Sequence, residues 1–86
     1  MDIPSDELAD VVKRLKRIQG QVGGVVRMIE EGRDCAAVVT QLAAASKALN
    51  RAGFAVVSTG MRHCSTAGNG ADRDLRELER LFLSLA

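Results

Sequence analysis

This sequence predicts an all-α fold: a three-helix protomer, made of a helical hairpin and a short C-terminal helix, that pairs into an antiparallel dimer bundle. Three features carry that reading. Apolar residues recur at spacings of three and four through two long stretches, and no proline follows Pro4. Only Gly32, Arg33 and Asp34 join the two stretches, a connection short enough to force them antiparallel.

The first helix spans about residues 5–31. Ser5 is placed to cap it, and Asp6 and Glu7 occupy its opening turn, where the helix dipole favours negative charge. Leu8, Val11, Leu15, Ile18, Val22, Val25, Val26 and Ile29 keep a 3.6-residue period, and Gly32 ends the run. Opposite that stripe, Lys13, Lys16, Arg17 and Arg27 fall within an arc of ~100°, with Gly20 and Gly24 between them and Arg14 at the edge. A solvated face usually mixes signs and avoids glycine. This one is single-signed and partly stripped of side chains.

The second helix runs over 35–64, with Asp34 as its N-cap and Val38, Val39, Leu42, Ala45, Leu49, Ala52, Val56 and Val57 along its apolar side. A loop of small residues, Ser65 to Ala71, follows. The third helix, 72–85, carries Leu75, Leu78, Phe82 and Leu85 on one side with Leu81 adjacent, and reads as a cover for the end of the hairpin.

The second helix holds both cysteines of the chain, Cys35 and Cys64, one at each end. At roughly 100° per residue the step between them is about eight turns plus 20°, so both sulfurs leave the apolar side. At about 1.5 Å rise per residue their Cα atoms are some 43 Å apart, whereas a disulfide needs Cα atoms within about 7 Å. Three arrangements are open. The thiols are unrelated core residues; or the helix breaks at Gly53 or Gly60 and folds back; or a second copy runs antiparallel and sets Cys35 of one chain beside Cys64 of the other, twice, by symmetry. The third is preferred, since it also covers an apolar stripe that a short chain cannot cover alone.

With 86 residues, two phenylalanines and neither tryptophan nor tyrosine, the chain is one domain, 1–86, with a thin aliphatic core, and oligomerisation is the expected remedy. No apolar run approaches a membrane span and the N-terminus is acidic, so a cytoplasmic protein without membrane contact is expected. In that compartment a cysteine pair is more often reactive or metal-binding than a permanent staple. Cys35 sits in the first helical turn, where unpaired N–H groups favour an anionic sulfur, and Cys64 follows Arg62 and His63.

Two thiolates suit Cu(I) or reaction with an oxidant or sulfane-sulfur donor. The single histidine, His63, points about 100° away from Cys64 on a helix, and tetrahedral zinc is poorly served by these ligands. No nucleophile–base–acid arrangement, no paired carboxylates on an apolar face and no phosphate-binding glycine loop is present, so no catalytic residue is assigned and an enzyme is not expected. Net charge is only +1, but the basic face of the first helix fits duplex phosphates, and the lack of aromatics disfavours single strands. A helical module that binds an acidic partner protein is the alternative from a different class.

The runs Arg14-Leu15-Lys16-Arg17-Ile18-Gln19-Gly20-Gln21-Val22 and Arg27-Met28-Ile29-Glu30-Glu31-Gly32, and Cys35 followed by Val39-Thr40-Gln41-Leu42, resemble the copper-sensing operon repressor family, also called CsoR/RcnR. The resemblance extends from about Val12 to Leu85. It implies an antiparallel helical dimer paired into a tetramer, without a helix-turn-helix, that represses operons until an inducer binds at thiols shared between subunits.

Copper sensors of that family carry a histidine four residues before the second cysteine, and nickel, cobalt and formaldehyde sensors also use it. Here that position is Gly60, His63 stands at another offset, and the tyrosine often found before the first cysteine is Asp34. What remains is similar to the persulfide-sensing, CstR-like branch, which keeps both cysteines, lacks the histidine, and has a Ser-Lys pair matching Ser46-Lys47. The resemblance therefore implies sensing thiols at Cys35 and Cys64, a sulfane-sulfur inducer and no resident metal cofactor, with Cu(I) held by the two cysteines as the alternative. Lys13, Arg14, Lys16, Arg17, Arg51 and Lys47 are the expected contacts to operator DNA.

Overall fold

A computed structural model of the chain describes residues 2–66 and 71–86. The order is a 3-10 turn Ser5–Leu8, then α1 Ala9–Glu30, α2 Cys35–Thr66 and α3 Ala71–Leu85. The three-helix all-α reading holds. The ends differ by a few residues. Ser5 does not cap: Pro4 precedes a tight turn in which the Glu7 N–H donates to the Pro4 carbonyl at 3.0 Å, and α1 begins only at Ala9. The second helix runs two residues past Cys64, into the expected loop. The rest of that loop, 67–70, lies outside the described residues.

The turn between α1 and α2 is fixed by backbone chemistry. Gly32 takes φ +71°, its N–H donates to the Ile29 carbonyl (3.1 Å), and the Arg33 N–H donates to Met28 (2.9 Å). This is a Schellman ending, and it needs a residue without Cβ at Gly32. Asp34 then caps α2 as expected, its Oδ2 accepting from the Ala37 N–H at 3.3 Å.

Helix α2 is unbroken through Gly53 and Gly60, which removes the fold-back arrangement of the cysteines. It is the central rod, with α1 on one flank and α3 on the other, and α1 and α3 do not touch among the described residues. Two small cores result. Val11, Ile18 and Ala52 bury between α1 and α2; Val57, Cys64 and Leu78 bury between α2 and α3. Alanines 45, 48 and 52 let α1 lie close.

The glycines do similar work on the other flank. A Cβ at Gly53 would stand 3.1 Å from Leu85 Cδ1, and one at Gly60 would stand 3.2 Å from both Leu78 Cδ1 and Ile3 Cδ1. Two glycines seven residues apart on α2 thus receive two leucines seven residues apart on α3. The Phe54 and Phe82 rings, 5.0 Å between centroids, add an edge contact.

The chain measures 54 × 25 × 13 Å, with a radius of gyration of 16.5 Å, against about 12 Å for a compact chain of this length. The short dimension is close to one helix diameter, so the helices lie in a single layer. A helical layer needs another layer to bury its apolar side. Val12, Leu15, Val22, Val26, Leu42 and Leu49 are all exposed, Val22 by 47% and Leu42 by 53%. No helix among the described residues is long and apolar enough to cross a membrane.

Leu78 is the main side chain clamping α3 to α2. Leu78→Ala should cost about 2–4 kcal/mol, read as a shift of the urea midpoint, and should raise the reaction rate of Cys64 with a thiol reagent. An unchanged Cys64 rate would contradict this packing.

Candidate functional site: two thiols and a basic groove

Both cysteines are free, but their settings differ. Cys35 is exposed in the first turn of α2, whereas Cys64, 2% exposed, lies under Leu78 and beside Met61 and Leu75. One continuous helix holds them, so about 43 Å separates their Cα atoms within a chain. They do not meet in one protomer.

On α2, Cys35 shares its side with Val39 and Leu42, both exposed, at helical spacings of four and seven. At that end of the rod this side of α2 is uncovered. Cys64 lies on nearly the same bearing at the far end of the rod, beneath α3.

Gly60, four residues before Cys64, offers no donor, and the space next to it is filled by Ile3 and Leu78. His63 is turned elsewhere: its Nδ1 is 3.4 Å from Glu7 Oε2 on the 3-10 turn. Arg62 beside it donates from a guanidinium nitrogen to Thr59 Oγ1 at 3.2 Å. Among the described residues no three of His, Cys, Asp and Glu cluster as metal ligands do within one chain.

The basic residues separate into two groups. Arg14, Arg17 and Arg51 line one groove between α1 and α2, together with Gln21 and Ala48. Lys16 instead lines the opposite, apolar groove with Val12, Leu15, Val22 and Leu49. Lys13 lies one turn before Arg17, and Lys47 one turn before Arg51. On the helical wheel alone Lys16 belongs to the basic arc and Arg14 sits at its edge; the approach of α2 reverses their rank by bringing Arg51 beside Arg14.

Sequence reasoning passed over a second polar groove. Near the hairpin turn, Gln21, Gly24, Arg27, Met28, Glu31, Arg33 and Gln41 surround a cavity of about 280 Å³. Gln21 lines both grooves, which makes them neighbours on one face of the hairpin. Its place one turn after Arg17 was the available signal.

Comparison with known proteins fits this architecture. A family model described as metal-sensitive transcriptional repressor matches residues 7–84. The chain is 41% identical over 70 residues to the copper-sensing transcriptional repressor RicR of Mycobacterium tuberculosis, covering 76% of this chain and 73% of RicR. It is 33% identical over 60 residues to the copper-sensing transcriptional repressor CsoR of Bacillus subtilis, covering 70% of this chain and 59% of CsoR.

Among solved structures, the nickel-responsive transcriptional regulator InrS superposes with a TM-score of 0.74 at 33% identity over 92% of each chain. With nearly its whole length matched, the chain belongs to the metal-sensitive (CsoR/RcnR) family of transcriptional repressors and is a regulator rather than an enzyme.

Proposed function

We propose that this repressor responds to reactive sulfur species, releasing duplex operator DNA when Cys35 of one subunit is bridged to Cys64 of an antiparallel partner. The observation that carries the reading is Gly60. At the position where the resemblance expects a nitrogen ligand there is no side chain, and Ile3 and Leu78 fill the space. The two thiols remain as the reactive groups.

The chemistry balances without a metal. A Cys35 or Cys64 thiolate attacks the outer sulfur of a persulfide RS–SH, forming Cys–S–SH and releasing RS⁻. The partner's thiolate then attacks the inner sulfur, forming the Cys–S–S–Cys bridge and releasing HS⁻. The thiols are oxidised and the sulfane sulfur is reduced. Two persulfides condense instead to a trisulfide and H₂S.

The thin layer supports the antiparallel pairing, because a second copy is a self-complementary cover for Val22, Val26, Leu42 and Leu49. Such dimers pair further into a tetramer. Phosphates are contacted from the groove of Arg14, Arg17 and Arg51, flanked by Lys13 and Lys47, while Lys16 reaches out from the apolar side. Bridging fixes one long helix against the other, and the short turn carries that constraint to α1. To release DNA the bridged state must bind it more weakly by about 2–3 kcal/mol or more.

Copper is the second reading, favoured by the names of RicR and CsoR. The donor set gives Cu(I) two soft thiolates, a fit in low coordination, and no nitrogen at Gly60.

Intact mass under denaturing, non-reducing conditions separates the two readings. After tetrasulfide, covalent dimers are expected, with no added sulfur for a disulfide bridge and one or more added sulfur atoms for a trisulfide or longer bridge; after Cu(I), none. DNA release by Cu(I) at chelator-buffered trace concentrations, with no covalent dimer after any sulfur donor, would replace sulfur by copper.

A further inference from the structure

The groove at the hairpin turn has no role in the reading above. It holds Arg27 and Arg33 with the amides Gln21 and Gln41, and all four side chains are exposed. Gln21 joins it to the groove of Arg14, Arg17 and Arg51. From Arg14 to Arg27 the shared face runs about 20 Å along α1, a length over which duplex DNA presents on the order of ten phosphates.

The backbone there is open to a close partner. A Cβ at Gly24, which lines this groove, would meet nothing within 4 Å, so packing inside the chain does not call for a glycine. One carboxylate opposes the arginines: Glu31 Oε2 lies 3.3 Å from Arg33 Nε, both side chains 59% exposed.

We infer that the groove of Gln21, Arg27, Arg33 and Gln41 is the second half of the operator interface, a phosphate clamp that Glu31 weakens. This rests on the operator-binding reading and adds to it a contact surface ending two residues from Cys35. Arginine forks grip phosphate oxygens, and glutamine amides donate to phosphate or sugar oxygens. Glu31 competes for Arg33 and repels the same phosphates. Because Arg33 and Cys35 flank the Asp34 cap, a bridge at Cys35 acts directly on one end of the DNA track.

The experiment measures operator affinity of the full-length reduced protein by fluorescence anisotropy at several salt concentrations, for wild type, R17Q, R27Q, R33Q and E31Q. At 0.15 M salt each phosphate contact is worth about fivefold, and losing one flattens the log–log salt slope by about 0.9. The clamp predicts that R27Q and R33Q weaken operator and scrambled duplex alike by at least fivefold and flatten the slope, while E31Q binds more tightly.

The gain in E31Q is the decisive sign, since misfolding cannot produce it. If R27Q and R33Q bind like wild type while R17Q weakens, the clamp is overturned and operator binding by the first groove stands. If E31Q weakens binding along with the arginine variants, the turn acts through structure alone and the clamp is again overturned. Failure of wild type to bind duplex removes the operator-binding reading itself.

Discussion

Mixing C35S protein with C64S protein should restore a sulfur bridge that neither variant forms alone. Each homodimer keeps one kind of thiol, and in an antiparallel pair those thiols sit at opposite ends, about 43 Å apart along the rod. A mixed dimer is different. It sets the surviving Cys35 of one chain beside the surviving Cys64 of the other and leaves the second site empty of sulfur. Random exchange makes about half of the dimers mixed, so roughly half should become covalent after tetrasulfide, with one bridge each. Either variant alone should bind operator normally and ignore the inducer. A mixture that yields no covalent dimer after demonstrated subunit exchange would show that the thiols are not partners.

The second large effect is on DNA. Replacing Arg17 and Arg51 together by glutamine removes two guanidinium groups from one groove in each protomer. If each group meets one phosphate, a twofold dimer loses four contacts. At about fivefold per contact in 0.15 M salt, affinity should fall on the order of 10²- to 10³-fold, and the slope of log K against log salt should flatten by about 3–4. Both side chains are exposed, so thermal stability should move little. A small loss with an unchanged slope would assign those arginines to the protein surface rather than to the interface.

Much of this architecture is legible in the residues. Gly32 and Asp34 announced the turn, because a left-handed glycine and an Asp N-cap have few other uses between two periodic stretches. The distance between Cys35 and Cys64 followed from helical rise alone. What the sequence hid is what depends on neighbours. Gly53 and Gly60 looked like places for a break, and they are sockets for Leu85 and Leu78, a fact that only the approach of α3 reveals.

The apolar stripe of α1 gave no hint of how it would be divided. Val11, Ile18 and Val25 are buried, while Leu15, Val22 and Val26, a few tens of degrees round the same helix, are left outside. The contrast between a sheltered Cys64 and an open Cys35 was hidden for the same reason: both residues look alike on a helical wheel. Pro4 and a tight turn, not a serine side chain, set the start of α1, a backbone effect that capping preferences do not reveal.

The socket at residue 60 ties inducer choice to architecture. A histidine installed there would not simply add an imidazole to a vacant corner; it would have to evict the Leu78 and Ile3 methyls that hold the third helix and the N-terminal segment in place. Converting this chain into a nitrogen-ligating sensor therefore demands simultaneous remodelling of two distant segments. Any lineage or engineer that alters the ligand alone should first obtain a loosened protein, and only afterwards a new specificity.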